Sequence, residues 1–458
     1  MTPTSTDAPA AGPGFSARLW GVMLLCAMVM MIDGYDLSAM PLAVPHIVRQ
    51  WQMEPSRFSL ALSAVLIGLG TGAVMLGPLG DRFGRRPVII AGTSAIALFT
   101  IATASAASTV QFALWRLLTG LALGACLPNV TAFVSEVAPP HRRASVLTII
   151  SCGISLGGMG AGFLAPLLVS GGHWQPIFIM PGLFTLLLSV LLLFFLPESP
   201  RFLLSRGKHD GWAQPRGKLG IAKAPAPCST PADGMNARGR RNGRSALPAL
   251  VQRQYLLATI VFIGLYTLNA LSLYMLVSWL PTILPDAGFS LDQASRLTST
   301  MQGGGLAGGL VLSWFLDRGK TVAALAGAYL LVAAILLSFG LVPATLLSWG
   351  VMLLVVGGCI SGAHQAIMAV GTGFYPSSML SSAIGVAVCV ARIGAIAGPF
   401  AGGWLIHRGI STPAFLAAVV APVAACLGMT LLIRLVEAKR VESRIPPTAI
   451  VGSRQQPG

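Results

Sequence analysis

Charged residues are scarce in this chain. Asp, Glu, Lys and Arg make up 10% of its 458 residues, whereas hydrophobic residues make up 54%. Ordinary soluble domains carry about 25% charged residues. The composition therefore argues against a soluble globular protein and indicates a chain that crosses a membrane several times.

Cysteines are also few, and none lies in a sequence pattern typical of metal binding or catalysis. Six of the seven lie in apolar segments, and Cys228 lies in a polar stretch. No pair has the spacing of metal ligands, and no nucleophile–base pair is visible. We therefore expect no cofactor, no metal site, no catalytic residue and no enzymatic activity.

Long apolar stretches dominate what is present. A bilayer core of about 30 Å needs about 20 apolar residues in a helix. We count twelve such stretches, beginning near Leu19, Phe58, Val88, Phe112, Ser145, Pro176, Tyr255, Leu297, Thr321, Thr345, Ser378 and Thr412. We predict an all-α membrane protein with twelve transmembrane helices in two six-helix bundles. The predicted parts are a disordered tail at 1–18, a bundle at 19–196, a flexible linker at 197–254, a bundle at 255–435 and a tail at 436–458.

The basic residues predict how the chain is oriented. Two arginines lie within apolar stretches, and placing the N-terminus in the cytoplasm leaves few of the others outside. Those predicted outside are Arg49, Arg57, Arg296 and Arg408. This distribution is the positive-inside pattern, so we expect both termini in the cytoplasm. It also accounts for the net charge of +16 without a nucleic-acid partner.

Two acidic residues, Asp33 and Asp36, interrupt the first apolar stretch. A charge at the centre of a spanning helix costs about 2.5–3.5 kcal/mol on the insertion scale, and it usually marks an ion or proton pathway. The i, i+3 spacing places both carboxyls on one face. Counting residues puts Arg116 and Arg392 in the same layer, about 20 Å from the cytoplasmic boundary. We predict that Asp33, Asp36 and Arg116 couple proton binding to transport and that Arg392 binds an anionic substrate. The alternative is that these ions pair only to fix helix packing.

Further polar and aromatic side chains lie at membrane depth, where each needs a partner. The residues that we predict to bind substrate together with Arg392 are Tyr35, Asn129, Asn269, Tyr274 and Gln365. For each of them, hydrogen bonding between helices is the alternative. His364 is expected to be a packing residue whose hydrogen bonds are satisfied, rather than a ligand.

Glycines mark surfaces where helices approach closely. Gly120 and Gly124 follow Arg116 at four-residue spacing, a small-residue pattern typical of tight helix pairs. We expect them to pack the fourth helix on the first. A second run, Gly303–Gly309, lacks the Lys-Ser/Thr ending of a phosphate loop and any preceding strand. We interpret it as another packing surface.

The loop after the second apolar stretch reads Gly77-Pro-Leu-Gly-Asp81-Arg82-Phe-Gly-Arg85-Arg86, and an Asp-Arg pair recurs six helices later. Parallel repeats of this kind are typical of transporters whose halves rock about a central site. We predict that these charges hold the inner gate shut. The predicted gating residues are Asp81, Arg82, Arg85, Arg86, Glu136, Asp317 and Arg318. The alternative is that the charges only set topology.

With these motifs the chain resembles the major facilitator superfamily, and within it the aromatic acid:proton symporters. The matching motifs are Asp33-Gly-Tyr-Asp36, the Gly77–Arg86 loop, Pro197-Glu-Ser-Pro-Arg201, Ser278-Trp-Leu-Pro281 and Arg392-Ile-Gly-x-x-x-Gly-Pro399. The resemblance implies proton coupling and substrate transport for the two aspartates, and gating for Asp81 and its arginines. The chain departs from the family after Tyr375-Pro376, where Ser-Ser-Met-Leu-Ser-Ser replaces a run containing Arg.

We therefore expect a monomeric, proton-coupled symporter in a bacterial-type cytoplasmic membrane. It would import an aromatic carboxylate of the benzoate or hydroxybenzoate type by alternating access. The alternatives are transport of another organic anion of the dicarboxylate or muconate type, transport of a sugar, export, or a receptor that binds without flux.

Overall fold

The computed structural model describes residues 17–138, 143–169, 172–206, 250, 252–375 and 377–442. We number the long helices α1 to α12. The first half contains α1 (Ala17–Trp51), α2 (Ser59–Met75), α3 (Arg85–Thr103), α4 (Thr109–Val137), α5 (Arg143–Leu168) and α6 (Pro176–Phe195). The second half contains α7 (Arg253–Ile283), α8 (Leu291–Asp317), α9 (Thr321–Ser338), α10 (Leu346–Phe374), α11 (Ser377–His407) and α12 (Val420–Glu442).

Short helices connect or flank the long ones. They are Pro55–Phe58 before α2, Leu79–Phe83 before α3, Pro200–Ser205 after α6, Leu284–Ala287 after α7 and Thr412–Ala418 before α12. Most of the predicted tail at 1–18, most of the linker at 197–254 and most of the tail at 436–458 lie outside the described residues. The linker's first residues are described, and they pack against the first half.

Ten of the twelve long helices begin within three residues of the predicted starts, because a run of bilayer length limits where a span can start. Helix α8 begins six residues before the predicted Leu297, and α12 begins at Val420, after the short helix that starts at the predicted Thr412. Polar caps sharpen several of these starts. Ser108, Ser290 and Thr345 each accept a hydrogen bond from the backbone N–H three residues further on, at the first turns of α4, α8 and α10. The prediction of an all-helical membrane protein with two six-helix halves is confirmed.

Helix α8 is the least apolar of the twelve. Eleven helices in the described part of the chain are long and apolar enough to span a membrane, and α8 is the one that falls short. Its 27 residues extend about 40 Å, but they are rich in Ser, Thr, Gln and Gly. It packs against α10 and α5, so protein covers polar groups that lipid would leave without partners.

The glycine run in α8 explains how closely α10 approaches. A Cβ atom added at Gly304 would lie 2.1 Å from the Leu354 carbonyl oxygen, and one at Gly308 would lie 1.9 Å from that of Gly358. Only glycine permits this separation. The interpretation of Gly303–Gly309 as a packing surface is confirmed.

The predicted partner of Gly120 and Gly124 was wrong. A Cβ atom at Gly120 would lie 2.2 Å from the Val65 carbonyl oxygen, and one at Gly124 would lie 2.4 Å from that of Leu69. Both glycines therefore face α2, and α4 touches α1 only sparingly. Each four-residue step turns a helix by about 40°, so the glycine stripe rotates away from the side on which Arg116 reaches α1.

The two halves are held together mainly at one end of the bundle. We call the end that carries Asp81–Arg86 the loop 2–3 end, and the opposite end the far end. Hydrogen bonds between the halves lie from mid-depth to the far end. They join Gln302 to Ser38 at 2.8 Å, Ser299 to the Met159 carbonyl at 2.7 Å, Ser63 to the Ile396 carbonyl at 3.0 Å, and His407 to Glu54 at 2.6 Å.

Candidate substrate and proton site

Asp36 forms a buried ion pair with Arg116 across the first half. The Nη1 atom of Arg116 donates to both carboxylate oxygens of Asp36, at 2.9 and 3.0 Å. The Thr100 hydroxyl donates a third hydrogen bond at 3.1 Å. The Arg116 side chain is fully buried and that of Asp36 is 3% exposed. The predicted pairing of a helix-1 carboxylate with Arg116 is therefore present.

The other side of the Arg116 guanidinium is also engaged. Its Nη2 atom donates to the Thr103 hydroxyl at 2.9 Å and to the Thr119 hydroxyl at 3.3 Å. The ring of Phe178 packs over the guanidinium at 5.2 Å, a favourable cation–π arrangement. These contacts hold the cation in place independently of Asp36.

Asp33 differs from Asp36 in its partners, although both are 2% exposed. Its Oδ1 atom is buried and has no hydrogen-bond partner among the described residues. The positive charge of Arg392, from the second half, interacts electrostatically with this carboxyl. Helix α1 therefore carries two different carboxyls. That of Asp36 forms an ion pair within its own half, and that of Asp33 interacts electrostatically with a cation of the other half.

Arg392 belongs to a small pocket between α7, α10 and α11. The pocket has a volume of about 100 Å³ and is lined by Tyr266, Tyr274, His364 and Arg392, together with small apolar side chains. Tyr274 and Arg392 both face this pocket. The predicted pair of Tyr274 and Arg392 is therefore brought together, with two further rings beside it.

Asn269 lies directly behind this pocket. Its side-chain amide contacts the Nδ1 atom of His364 at 3.1 Å, and it accepts a hydrogen bond from the Tyr329 hydroxyl at 3.0 Å. It is fully buried. Asn269 therefore reaches the pocket through His364.

The structure does not bring Tyr35, Asn129 or Gln365 to Arg392. The Tyr35 hydroxyl donates to the Ile177 carbonyl at 3.1 Å, and the Asn129 amide donates to the Gly77 carbonyl at 3.0 Å. Both side chains thus bond to the backbone of another segment of the bundle, as in the alternative to substrate binding that the sequence left open. The exposed Gln365 packs against Gly309 of α8.

Tyr35 and Asp36 instead line a separate cavity between α1, α3, α5 and α6. Its volume is about 340 Å³, and its walls are mostly apolar. Several wall residues, among them Met180 and Phe184, are also exposed on the outer face of the bundle. This cavity lies beside the Asp36–Arg116 pair and apart from the Arg392 pocket.

At the loop 2–3 end, a set of charged side chains forms what we call the gate cluster: Asp81, Arg85, Arg86, Glu136 and Glu198. Arg85 donates to Glu136 at 2.9 Å and to Asp81 at 3.3 Å. Arg86 donates to the Leu193 carbonyl at 2.7 Å. These bonds all stay within the first half.

Glu198 is a member that sequence analysis missed. Its Oε1 atom accepts hydrogen bonds from the backbone N–H groups of Arg85, Arg86 and Ser199, at 3.0, 3.2 and 2.8 Å. It thereby satisfies the free N–H groups at the start of α3, where the helix dipole also favours an anion. The Ser199 hydroxyl donates to Glu136. The Pro197–Arg201 motif contained the signal, since it places an acid just after α6.

Gly84 makes this arrangement possible. Its φ of 102° lies in the left-handed region, which favours glycine. A Cβ atom there would also lie 2.6 Å from the Glu198 Oε2 atom. Glycine is therefore required on both counts between Leu79–Phe83 and α3.

The remaining predicted gating residues, Arg82, Asp317 and Arg318, form no ion pair among the described residues. Arg82 packs over Phe83 at 5.3 Å, and its carbonyl accepts a hydrogen bond from Arg206 at 3.0 Å. Arg318 stacks on the Trp314 ring at 3.3 Å. No ion pair of Asp317 is found in the described part of the chain.

A two-half helical bundle with a buried ion pair at mid-depth and an arginine pocket in the other half defines a multi-pass membrane transporter. The sequence profile of the Major Facilitator Superfamily matches residues 22–387. The chain belongs to this superfamily, and it is a transporter rather than an enzyme.

Characterised relatives cover most of the chain. It is 32% identical to the gallate transporter of Pseudomonas putida, over 87% of this chain and 88% of the relative. It is also 32% identical to the 4-hydroxybenzoate transporter PcaK of Pseudomonas aeruginosa, over 91% of this chain and 93% of the relative. The resemblance to aromatic acid transporters of the superfamily is thereby confirmed.

Solved structures share the fold at low sequence identity. A bacterial homologue of the human lysosomal transporter Spinster, in an inward-facing and occupied conformation, matches with a TM-score of 0.69 and 17% identity, over 95% of this chain and 100% of that one. The xylose transporter XylE of Escherichia coli, in a partially occluded inward-open conformation, matches with a TM-score of 0.68 and 16% identity, over 93% and 100%.

Proposed function

We propose that this protein is a proton-coupled symporter that imports an aromatic carboxylate, of the benzoate or hydroxybenzoate type, by alternating access. The observation that carries the proposal is the pairing of Asp36 with Arg116 next to Asp33, whose carboxyl interacts with Arg392 of the other half. The named activities of the gallate and 4-hydroxybenzoate transporters support the substrate class.

Arg392 is the proposed carboxylate-binding residue. A guanidinium binds a carboxylate through two parallel hydrogen bonds, which fixes the orientation of the anion. The rings of Tyr266 and Tyr274 beside it offer stacking surfaces for an aromatic ring. The pocket of about 100 Å³ is smaller than a cavity of about 150 Å³ that accepts benzene, so the pocket must widen when an aromatic acid binds.

Asp33 links substrate binding to proton binding in this proposal. While the pocket is empty, Arg392 provides the nearest positive charge for an ionised Asp33. A substrate carboxylate at Arg392 neutralises that charge, and an ionised Asp33 would then face a second anion. Protonation of Asp33 removes the repulsion, so anion and proton bind together.

Asp36 supplies a second proton-dependent contact. A proton on its carboxyl would remove the charge that Arg116 pairs with, while the threonine hydroxyls and the Phe178 ring still hold the guanidinium. The tie between α1 and α4 would then weaken, which frees α1 to move. A buried carboxylate can in this way connect proton entry with a change of conformation.

The ends of the bundle open alternately. In this structure the halves are joined at the far end, and Asp81 is 78% exposed at the loop 2–3 end. In the opposite state, the gate cluster would contact the second half and close the loop 2–3 end. The positive-inside pattern supports placing that end in the cytoplasm, and in this proposal the structure is the inward-facing state.

The coupling sets the driving force. A monovalent carboxylate that enters with one proton moves no net charge, so the pH gradient alone drives its uptake. A second proton would add about 2.3 kcal/mol per 100 mV of membrane potential. The two aspartates of α1 make proton stoichiometry a quantity worth measuring.

Uptake into proteoliposomes tests the proposal. With an imposed inward proton gradient, we expect accumulation of radiolabelled 4-hydroxybenzoate or benzoate, and we expect none without the gradient. Asp36→Asn should abolish uphill uptake while leaving exchange of internal for external substrate. Asp286→Asn, on an exposed residue outside the site, is the matched control and should behave as the unmodified protein does.

A panel of benzoates, dicarboxylates and hexoses, offered as competitors, distinguishes the substrate classes. The proposal fails if no aromatic acid accumulates under any imposed gradient. It also fails if a dicarboxylate or hexose competes and the aromatic acids do not. Efflux on acidifying the outside would identify an exporter instead.

A further inference from the structure

His364 has a hydrogen-bonding edge that the proposed carboxylate site does not use. It lies on α10 and lines the pocket with Arg392. Its ring stacks on that of Tyr266, with centroids 4.5 Å apart and planes inclined by 21°. The stacking fixes the plane of the imidazole, so its two nitrogens point in defined directions.

The contacts of Asn269 decide which nitrogen of His364 carries the proton. The Nδ2 atom of Asn269 lies 3.3 Å from the Ile360 carbonyl oxygen, which can only accept. The Tyr329 hydroxyl binds the other amide atom, Oδ1, at 3.0 Å. The contact with the Ile360 carbonyl identifies the atom facing His364 as the amide nitrogen, which has donors only. The Tyr329 hydroxyl is then the donor to Oδ1.

The Nδ1 atom of His364, 3.1 Å from this amide nitrogen, must therefore accept. A neutral imidazole that accepts at one nitrogen carries its hydrogen on the other. The chain Tyr329–Asn269–His364 thus fixes the tautomer with the hydrogen on Nε2. That atom lies across the ring from Asn269, and no hydrogen bond to it is found among the described residues.

We propose that His364 is a second recognition point in the pocket and binds a hydroxyl group on the aromatic ring of the substrate through its Nε2–H. Arg392 holds the carboxylate at one end of the molecule, and His364 selects for a ring oxygen elsewhere on it. Asn269 and Tyr329 act as positioning residues that keep the donor directed at the pocket. This inference rests on the proposed transport of aromatic acids and specifies which of them are preferred.

The unmodified protein gives the first test. In proteoliposomes, the 2-, 3- and 4-hydroxybenzoates are compared with the methylbenzoates of the same substitution, which match them in size but accept no hydrogen bond. We expect at least one hydroxybenzoate to compete about 3- to 10-fold better than its methyl counterpart, the range of one neutral hydrogen bond. Equal competition by all three pairs would overturn the inference.

Two substitutions at His364 give the second test. His364→Phe keeps a ring against Tyr266 and removes the donor, so the preference for the hydroxybenzoate should disappear while the KM for benzoate changes little. His364→Gln offers an oxygen to Asn269 and an N–H to the pocket, so it should restore part of the preference. His173→Gln, at an exposed histidine in the loop before α6, is the matched control.

The outcomes separate this inference from the function on which it rests. If the unmodified protein transports benzoate and hydroxybenzoate but His364→Phe keeps the full preference, only the role of His364 is refuted. If His364→Phe and His364→Gln both lose the two substrates equally, His364 is a packing residue. If the unmodified protein takes up neither acid, the proposed function itself fails.

Tyr329→Phe provides a graded version of the test. It removes the hydroxyl that orients Asn269 but leaves His364 and the pocket wall in place. We expect the hydroxybenzoate preference to fall by a smaller factor than in His364→Phe, with benzoate transport unchanged. An unaltered preference would show that Asn269 keeps its orientation without Tyr329 and would remove Tyr329 from the proposed chain.

Discussion

The Asp36–Arg116 pair gives a quantitative prediction about stability. Both side chains are almost completely buried, so removing one partner leaves the other charge uncompensated. Such a loss costs about 3–5 kcal/mol, whereas replacing both partners of a buried pair is often nearly neutral. We therefore expect Asp36→Asn and Arg116→Gln each to destabilise the protein strongly. Asn and Gln are not the apolar replacements for which that near-neutrality holds, so we expect the double variant to lose less than the sum of the two by about 0.5–3 kcal/mol, the usual coupling energy of residues in contact.

Two other aspartates provide matched controls for the same chemical change. Asp33→Asn removes a carboxyl whose Oδ1 has no hydrogen-bond partner in the part of the chain that the structure describes, so it should destabilise the protein far less than Asp36→Asn. Asp81→Asn removes an ion pair whose aspartate side chain is 78% exposed. Exposed pairs of this kind contribute about 0–1 kcal/mol at most.

Thermal unfolding in detergent, followed with a thiol-reactive dye, measures these differences. Cys26, Cys126 and Cys426 are buried free cysteines, so they react when the bundle opens. The reasoning is refuted if Asp36→Asn unfolds at the same temperature as Asp33→Asn. It is also refuted if the double variant loses as much as the two single variants together.

Three further predictions concern the gate cluster, helix packing and the far end. Glu198→Ala removes the acceptor for three backbone N–H groups and should lower stability by about 1–2 kcal/mol, whereas an unchanged melting temperature would contradict its capping role. Gly120→Ala should cost about 1–3 kcal/mol through its clash with α2, while Gly327→Ala, where a Cβ meets nothing within 4 Å, should cost far less; equal losses would contradict the packing argument. Hydrogen bonds from Ser56, and to a lesser extent from His407, lower the pKa of Glu54. The ionised carboxylate therefore contributes fully to closing the far end when the pH is above the ordinary glutamate pKa. This contribution is lost as the pH falls through the lowered pKa. Distances between spin labels across the far end should therefore increase on acidification in the unmodified protein and should already be increased in Glu54→Gln, and a pH-independent distance in the unmodified protein would contradict this.

Depth in the membrane could be predicted from the sequence, because it follows from counting residues along a helix. Counting placed the aspartates of helix 1 and Arg116 in one layer, and a buried charge requires a partner, so an ion pair between one of these carboxyls and Arg116 was expected. Counting did not indicate that Asp36 is the partner. The starts of ten of the twelve helices were predictable for a similar reason, since a span needs about 20 apolar residues to cross the bilayer.

Rotation of a helix about its own axis could not be predicted in the same way. Tyr35 and Asn129 lie at membrane depth as expected, yet both turn towards neighbouring backbone carbonyls rather than towards Arg392. The error about Gly120 has the same origin, because a stripe of small residues indicates close packing without naming the neighbour. Which helices become neighbours depends on contacts far apart in the chain, and single-sequence patterns do not contain them.

His364 illustrates a different limit. The sequence predicted a packing residue with satisfied hydrogen bonds, and the stacking on Tyr266 fits that expectation. The direction of its second nitrogen depends on Asn269 and Tyr329, which lie on two other helices. The proposed role of His364 as a recognition point could therefore be inferred only from the structure, which shows the three side chains together.

The polar character of α8 has a consequence for how the protein is made. A helix with Ser299, Gln302 and a glycine stripe gains little from entering lipid alone, and its partner α10 follows later in the chain. During synthesis, the already inserted first half offers hydrogen bonds to α8, through the Met159 carbonyl of α5 and the Ser38 hydroxyl of α1. The first half then serves as the template for insertion of the second. A chain that begins at α7 should therefore insert α8 poorly, even though the sequence of α8 is intact.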